Sequence, residues 1–324
     1  MKKRIVGAAL LLCCAFMLAG CMNSPPDVLL REGTDGQRLI SASTQDLIPD
    51  SQKITLYFRY GDSAYLAPEQ HEIQFKRNES IEKDIVAALI QGPSASAVSL
   101  SGLFPPGTEV VAASAQGDTL FITFNEAFLG RYADEPSDAA SGESILRRQL
   151  CLQSLAATLT EEGLCAQVQV LVYRSTVQGA SMRLQAGYLD RSNDETLLPP
   201  VTRDESRLLT PYNTARLILQ AWQAQDWTSL YDLTAKEGEN AEKTRVGEQS
   251  AFDAFSAARP LAEFDLSPGN VSFDGQTAVL TAVLTVRDQG MDQTVRGYPL
   301  LLCREAGVWK MDYNRLLNMM NGNL

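Results

Sequence analysis

Ser80–Pro93, reading SIEKDIVAALIQGP, is punctuated from end to end as one helix. Ser80 stands where a cap hydroxyl accepts from an orphan amide, and Glu82 follows in the first turn. Ile81, Ile85, Ala88 and Leu89 recur at i, i+4, i+7 and i+8, which puts them on one face. Gly92 supplies a left-handed cap and Pro93 stops the helix.

Strands flank this helix. Upstream, Ile54, Leu56, Phe58 and Tyr60 alternate with Thr55, Tyr57 and Arg59, a half-buried pattern, and Ile73 with Phe75 marks a second, shorter strand. Downstream, Val110-Val111 opens a third, and Gln116-Gly117-Asp118 turns the chain into a fourth on which Leu120, Ile122 and Phe124 share a face. The loop from Tyr132 to Gly142 is acidic: Asp134, Glu135, Asp138 and Glu143 crowd it, which reads as a solvated loop, with weak calcium capture as the alternative. A long helix then carries Ile145, Leu152, Leu155, Ala156 and Leu159 on one stripe and ends at Gly163. Gln149 interrupts that stripe and Arg148 flanks it, a polar gap that marks either a partner surface or simple exposure. Val168, Val170 and Val172 form the next strand. The order ββαββαβ predicts a two-layer α/β sandwich over residues 53–190, helices on one sheet face.

Several short motifs follow one another here in a fixed order. They are Leu56-Tyr57-Phe58, Leu66-Ala67-Pro68, Leu89-Ile90-Gln91-Gly92-Pro93, Phe104-Pro105-Pro106-Gly107-Thr108, and Thr158-Leu159-Thr160 before Val168-Gln169-Val170. Together they resemble the GerM-type, or GerMN, domain. The resemblance implies a bacterial lipoprotein tied to spore formation and germination, and a ring-building or scaffold role without enzymatic activity. Gly92, Pro93 and Pro106-Gly107 serve the fold first, as helix stop and turn chemistry.

Residues 191–207 are polar, include Pro199-Pro200 and read as a linker to a second domain at 208–324. Thr210-Pro211 is a capped start leading into Leu217, Ile218, Ala221 and Trp222; Gln225-Asp226-Trp227 breaks into a second helix through Leu230, Tyr231 and Leu233. A third helix near 249–258 precedes strands only, at about 264–273, 277–287, 295–304 and 307–312. Helices followed by an antiparallel meander make an α+β pattern. The helix break at Asp226 and the terminal Gly307-x-Trp309-Lys310-x-Asp312 resemble the NTF2-like cone fold. Trp222, Trp227, Tyr231 and Tyr298 either line such a cone or, more simply, fill its core.

The amino terminus sets the expected location. Lys2, Lys3 and Arg4 precede an apolar run from Ile5 to Met17 that is too short to span a bilayer, and Leu18-Ala19-Gly20-Cys21 forms a lipobox. Residues 1–20 therefore read as a lipoprotein signal, Cys21 as the lipidated first residue of the mature chain, and residues 21–52 as a tether. A plain signal peptide is the alternative. The expected product sits on the extracytoplasmic face of the cell membrane, held by its acyl chains. Loss of Lys2, Lys3 and Arg4 takes the net charge from −11 to −14, a surface repelled by nucleic acid. Three cysteines remain beyond Cys21, namely Cys151, Cys165 and Cys303. The odd count argues for thiols rather than a disulfide framework.

No catalytic, cofactor-binding or metal-binding residues are nominated. The sole histidine, His71, reads as a surface strand residue, so triads and histidine metal clusters have at most one candidate. Ser80-x-x-Lys83 fits an acylating-serine motif but lacks its companion elements, and helix capping explains Ser80. The sequence thus predicts a non-enzymatic protein whose partners are the membrane and envelope proteins, copies of itself included. The alternatives are a cone that captures a peptidoglycan fragment or small ligand, and an envelope hydrolase.

Overall fold

The computed structural model describes residues 51–76, 80–135, 141–174, 180–237, 243–288 and 290–322. The lipobox, Cys21 and the tether up to residue 50 lie outside them. The chain enters through a hairpin of β1 (Ser51–Tyr60) and β2 (Leu66–Gln74), with Ile54 opposite His71 and Phe58 opposite Ala67. A short β3 (Leu100–Ser101) pairs with the end of β1. The half-buried reading of β1 fails beyond Thr55: Leu56 to Tyr60 are all buried. The reason is that both edges of this strand are closed, one by β2 and the other by β3 and by side chains of the long helix over 142–161 and Glu162.

α1 (Ile81–Gln91) follows the expected punctuation. Ser80 Oγ accepts from the Lys83 amide at 3.3 Å, Ile85, Val86 and Leu89 are buried, and Gly92 leaves at φ 92°. The hairpin of β4 (Val110–Gln116) and β5 (Thr119–Phe124) turns at Gly117, φ 57°. β5 then runs parallel to β6 (Gln167–Tyr173), a pairing that requires a crossover, supplied by α2 (Gly142–Glu161). β7 (Ser181–Arg183) completes a sheet of order β4-β5-β6-β7, distinct from the sheet β2-β1-β3. The mixed class and the ββαββαβ order hold, with β3 and β7 as additions too short for periodicity to mark and the strands divided between two sheets.

α2 binds the two sheets together through chemistry the apolar stripe did not announce. Ser154, Thr158 and Glu162 recur every four residues and face the open edge of β1. The Thr55 amide donates to Glu162 Oε1 at 3.0 Å, the Tyr57 amide to Thr158 Oγ1 at 3.1 Å, and Ser154 Oγ donates to the Tyr57 carbonyl at 2.6 Å. A row of side chains thus replaces a missing strand. Thr158→Val keeps the volume and orphans the Tyr57 amide. A loss of about 1–3 kcal/mol in a denaturant titration is expected, and no loss would show that this edge does not depend on the helix.

The second half opens with α3 (Gly187–Asp190) already behind it. Thr210 caps α4 (Pro211–Ala224) by accepting from the Asn213 amide at 3.2 Å, with Pro211 in the first turn. Gln225 turns out at φ 57° and Asp226 caps α5 (Trp227–Asp232), accepting from Ser229 at 3.1 Å. After β8 (Thr234–Ala235) and α6 (Glu248–Ala257), β9 (Leu261–Val271), β10 (Thr277–Asp288), β11 (Met291–Glu305) and β12 (Val308–Asp312) form a sheet of order β8-β12-β11-β10-β9. Bulges near Val279–Thr281, Ala282–Leu284 and Thr285–Val286 bend it. The expectation of strands alone to the end is corrected by α7 (Tyr313–Met320). Asp312 ends β12 and also caps this helix, accepting from Arg315 at 3.0 Å, and Leu316, Met319 and Met320 are fully buried.

The two halves share packing. Tyr60 and Ala67, from the first hairpin, belong to the core of the second half, and Leu100 touches both cores. Tyr60 Oη donates to the Asp232 carbonyl at 3.1 Å and the Leu209 amide to the Leu66 carbonyl at 2.8 Å. The stretch 191–207, read as a linker, is fastened too. Val168 and Val201 exchange backbone bonds of 2.9 and 2.8 Å, and Arg203 reaches the Ala157 carbonyl, the Tyr57 hydroxyl and Glu161. Cooperative unfolding follows as an expectation. All three tryptophans, Trp222, Trp227 and Trp309, lie in the second half, so their fluorescence should report the same midpoint as far-UV circular dichroism of the whole chain. Separated transitions would show that the halves unfold independently.

Candidate functional site

Only Glu135 of the acidic loop is withdrawn from solvent; Asp134 and Glu143 are exposed, as a solvated loop would have them. Its described acids are all paired with arginines, Arg147 serving both Asp134 and Glu143, and Asp138 lies outside the described residues. Glu135, whose side chain has no exposed surface, accepts from Arg148 Nη2 at 2.6 and 2.5 Å, from Arg191 Nε at 3.5 Å and from the Tyr132 amide at 3.2 Å. Asp134 takes a two-point contact from Arg147 at 2.8 and 3.0 Å, and Glu143 pairs with the buried Arg59. Among the described residues no group of three or more histidine, cysteine or acidic side chains is arranged to hold a metal ion.

Arg148 is neither a partner surface nor exposed: it is fully buried. Its position explains this, since 148, 152, 155 and 159 follow the core face of α2. The guanidinium sits 5.4 Å from the centroid of the Tyr132 ring and 5.9 Å from that of Tyr188. Burial works against ionisation of Glu135, but the bonds from Arg148, Arg191 and the Tyr132 backbone outweigh it and hold the carboxyl at about 2. Arg191, left-handed at φ 63°, extends the network by donating to the carbonyls of Leu129 and Gly130 at 2.7 and 2.5 Å. Phe124, Phe128 and Tyr188 stack beneath it, 4.5 and 5.1 Å apart.

Over this network lies an open cleft of about 440 Å³ between β7 and the 185–195 loop, with Arg174, Arg183 and Arg191 opposite Asp194 and Glu195. Its charges are mixed, and of the ion network only Arg191 lines it. A second groove of about 250 Å³ runs between β11 and α7, where Tyr298, Arg315 and Asn318 stand among Pro299, Leu300, Met311 and Met319. Of the aromatics proposed for the cone, Trp222 is core, its indole donating to the Arg259 carbonyl at 2.9 Å. Trp227 and Tyr231 pack at the core margin, and Tyr298 alone borders the groove.

His71 is half-buried rather than a surface residue. Its Nε2 lies 2.7 Å from Glu69 Oε2, and its ring centroid lies 5.5 Å from that of Phe58, on the paired strand. The three thiols are unbridged, Cys151 buried and Cys165 and Cys303 partly so. Burial pushes the Cys151 thiol well up and that of Cys165 to about 11. Neutral-pH thiol reagents should therefore leave Cys151 unlabelled until denaturant is added. Rapid labelling of the native chain at that residue, read by peptide mass, would contradict its placement.

Residues 55–173 match the Germane family, described as sporulation and spore germination. No curated protein matches the chain. Among solved structures it is similar to the tandem GerMN domains of the sporulation protein GerM from Bacillus subtilis, at 14% identity and a TM-score of 0.35, covering 74% of this chain and 62% of that one. The chain thus spans under two thirds of that structure's length. The first GerMN domain of the same protein is similar at 14% identity and a TM-score of 0.31, over 47% of this chain and 98% of that one. An NTF2-like protein from Cytophaga hutchinsonii is similar at 20% identity and a TM-score of 0.24, over 31% and 87%. The GerM-type resemblance read from the ordered motifs therefore holds over residues 55–173.

Proposed function

We propose that this chain is a lipid-anchored protein of the extracytoplasmic membrane face that works by binding envelope proteins during spore formation or germination, not by turnover. The observation that carries the reading is a sporulation-family match at 55–173, placed downstream of a lipobox at Leu18, Ala19, Gly20 and Cys21. The geometry supports it in a second way. Three carboxylates of the first half are paired with arginines from other segments, Glu135 with Arg148, Glu143 with Arg59 and Glu161 with Arg203, which fastens its elements to one another. The test is Cys21→Ser. The unsubstituted chain should sediment with membranes and bring down envelope proteins after cross-linking; the variant should leave the membrane fraction. A chain that stays with membranes without Cys21, or brings down nothing, overturns the proposal.

The groove between β11 and α7 favours a second reading, in which the cone half binds a small ligand such as a peptidoglycan fragment. The groove gathers Tyr298, Arg315 and Asn318 among apolar side chains, and it is more polar and, at about 250 Å³, smaller than most such sites. A fragment that binds only the folded chain would raise its melting temperature, and Arg315→Ala would abolish the shift.

A further inference from the structure

We propose that β4 is the surface through which two copies of this chain pair, edge to edge and antiparallel, joining their four-stranded sheets across a two-fold axis. This rests on the binding reading above and names one contact for it.

The inference starts from how the other strand edges are closed. The free edge of β1 is bonded by α2 through Ser154, Thr158 and Glu162. β9 carries Glu263, Asp265 and Pro268, and α4 covers its carbonyls, Gln223 donating to Ala262 at 2.7 Å and Tyr212 to Leu266 at 3.4 Å. β2 has Pro68, Glu69 and Glu72, and its Leu66 is bridged to Leu208. β7 is three residues long and ends in Arg183. These are the usual defences of an edge: charge, proline, brevity and cover.

β4 is long and has neither charge nor proline, and although α1 packs against it, no hydrogen bond from that helix to its backbone is found among the described residues. Its sequence is Val110-Val111-Ala112-Ala113-Ser114-Ala115-Gln116, and its one irregularity is a bulge beside Val110. Among the described residues its backbone bonds only to β5. Val111 is 42% exposed, and Ala112, Ser114 and Gln116 are exposed with it. Pairing with β5 uses the amides and carbonyls of alternate residues, so those of Val111, Ala113 and Ala115 are left on the outer edge of a strand of small, uncharged side chains.

Charge selects the occupant. A two-fold through Ala113 sets Val111 against Ala115, Ala112 against Ser114 and Val110 against Gln116. The flanking acids Glu109 and Asp118 then meet Gly117 and Thr108, so no like charges stand opposite one another. Identical edges related by a two-fold also use each other up, and association stops at a dimer. The net charge of −11 works against the approach of a second copy, so added salt strengthens this contact. A foreign strand with basic flanks would show the opposite salt dependence.

Sedimentation velocity on the full chain in detergent tests this across protomer concentration. The expected result is a reversible dimer that tightens with salt, weakened at least tenfold by Ser114→Lys and unchanged by Val279→Lys, which adds the same charge on β10. Folding of each variant is checked by circular dichroism. A mixture of Ala112→Cys and Ser114→Cys chains should cross-link to one another more than either does to itself, which fixes the register. A full chain that stays monomeric at about 100 µM, a dimer indifferent to Ser114→Lys, or one that weakens with salt overturns the proposal. Such a monomer that still brings down envelope proteins would leave the binding reading standing; a dimer that brings down none would remove that reading and keep the contact.

Discussion

Glu135→Ala is expected to lower the stability of the chain by about 3–5 kcal/mol, among the largest effects any single carboxylate here can have. The loss comes less from the ion pair itself than from what is left behind. Arg148 has no exposed surface, and with Glu135 gone its remaining described bond is a 3.4 Å contact to the Ser144 carbonyl. An unpaired guanidinium in that position keeps its full desolvation penalty. Arg148→Met in the Glu135→Ala background should therefore recover part of the loss, since removing both charges is milder than removing one. The same group sets an acid limit. Its folded value near 2 lies below the ordinary 4.5, so its contribution is complete above about pH 4.5 and disappears as pH falls through 2. Urea titrations at pH 7, 4 and 3 should show a steeper loss for the unsubstituted chain than for Glu135→Gln, which has no carboxyl to protonate. Equal slopes would assign the acid sensitivity elsewhere.

Much of this architecture was readable from local rules, and the part that was not is long-range. The caps at Ser80, Thr210 and Asp226, the turn at Gly117 and the strand faces of β5, β6 and β10 are fixed by residues within a few positions of one another, which is why pattern alone finds them. The partners of Arg59 and Arg148 sit 84 and 13 residues away. A buried charge on an apolar stripe announces that an acid must come to it, but the sequence offers 39 acidic residues and no way to choose. α7 was missed for a different reason. Asp312 ends one element and caps the next, and reading it as the last residue of a strand motif hid Leu316, Met319 and Met320 at i+4, i+7 and i+8. The junction between halves was hidden too, because a polar, proline-bearing stretch such as 191–207 has the composition of a linker whether or not it is pinned down.

That junction supplies the second large effect. β11 and β12 are joined by a two-residue turn, Glu305 opposite Val308, with Ala306 at φ 50° and Gly307 at φ 85°. Both central residues are left-handed, the geometry that favours Asn-Gly, so Ala306 is strained and Ala306→Asn should stabilise by about 0.5–1 kcal/mol. Gly307 is under a second constraint, because a Cβ there would lie 2.9 Å from the Pro68 carbonyl oxygen, on β2 of the other half. Gly307→Ala should therefore cost about 2–4 kcal/mol, the left-handed penalty plus displacement of one half against the other. Gly275→Ala separates the two contributions: that turn is equally left-handed at φ 68° but has nothing within 4 Å of the added carbon, so only about 1–2 kcal/mol is expected. If the two alanine variants lose the same stability in denaturant titrations, the turn does not press on β2, and the shared core at Tyr60 and Ala67 alone holds the halves together.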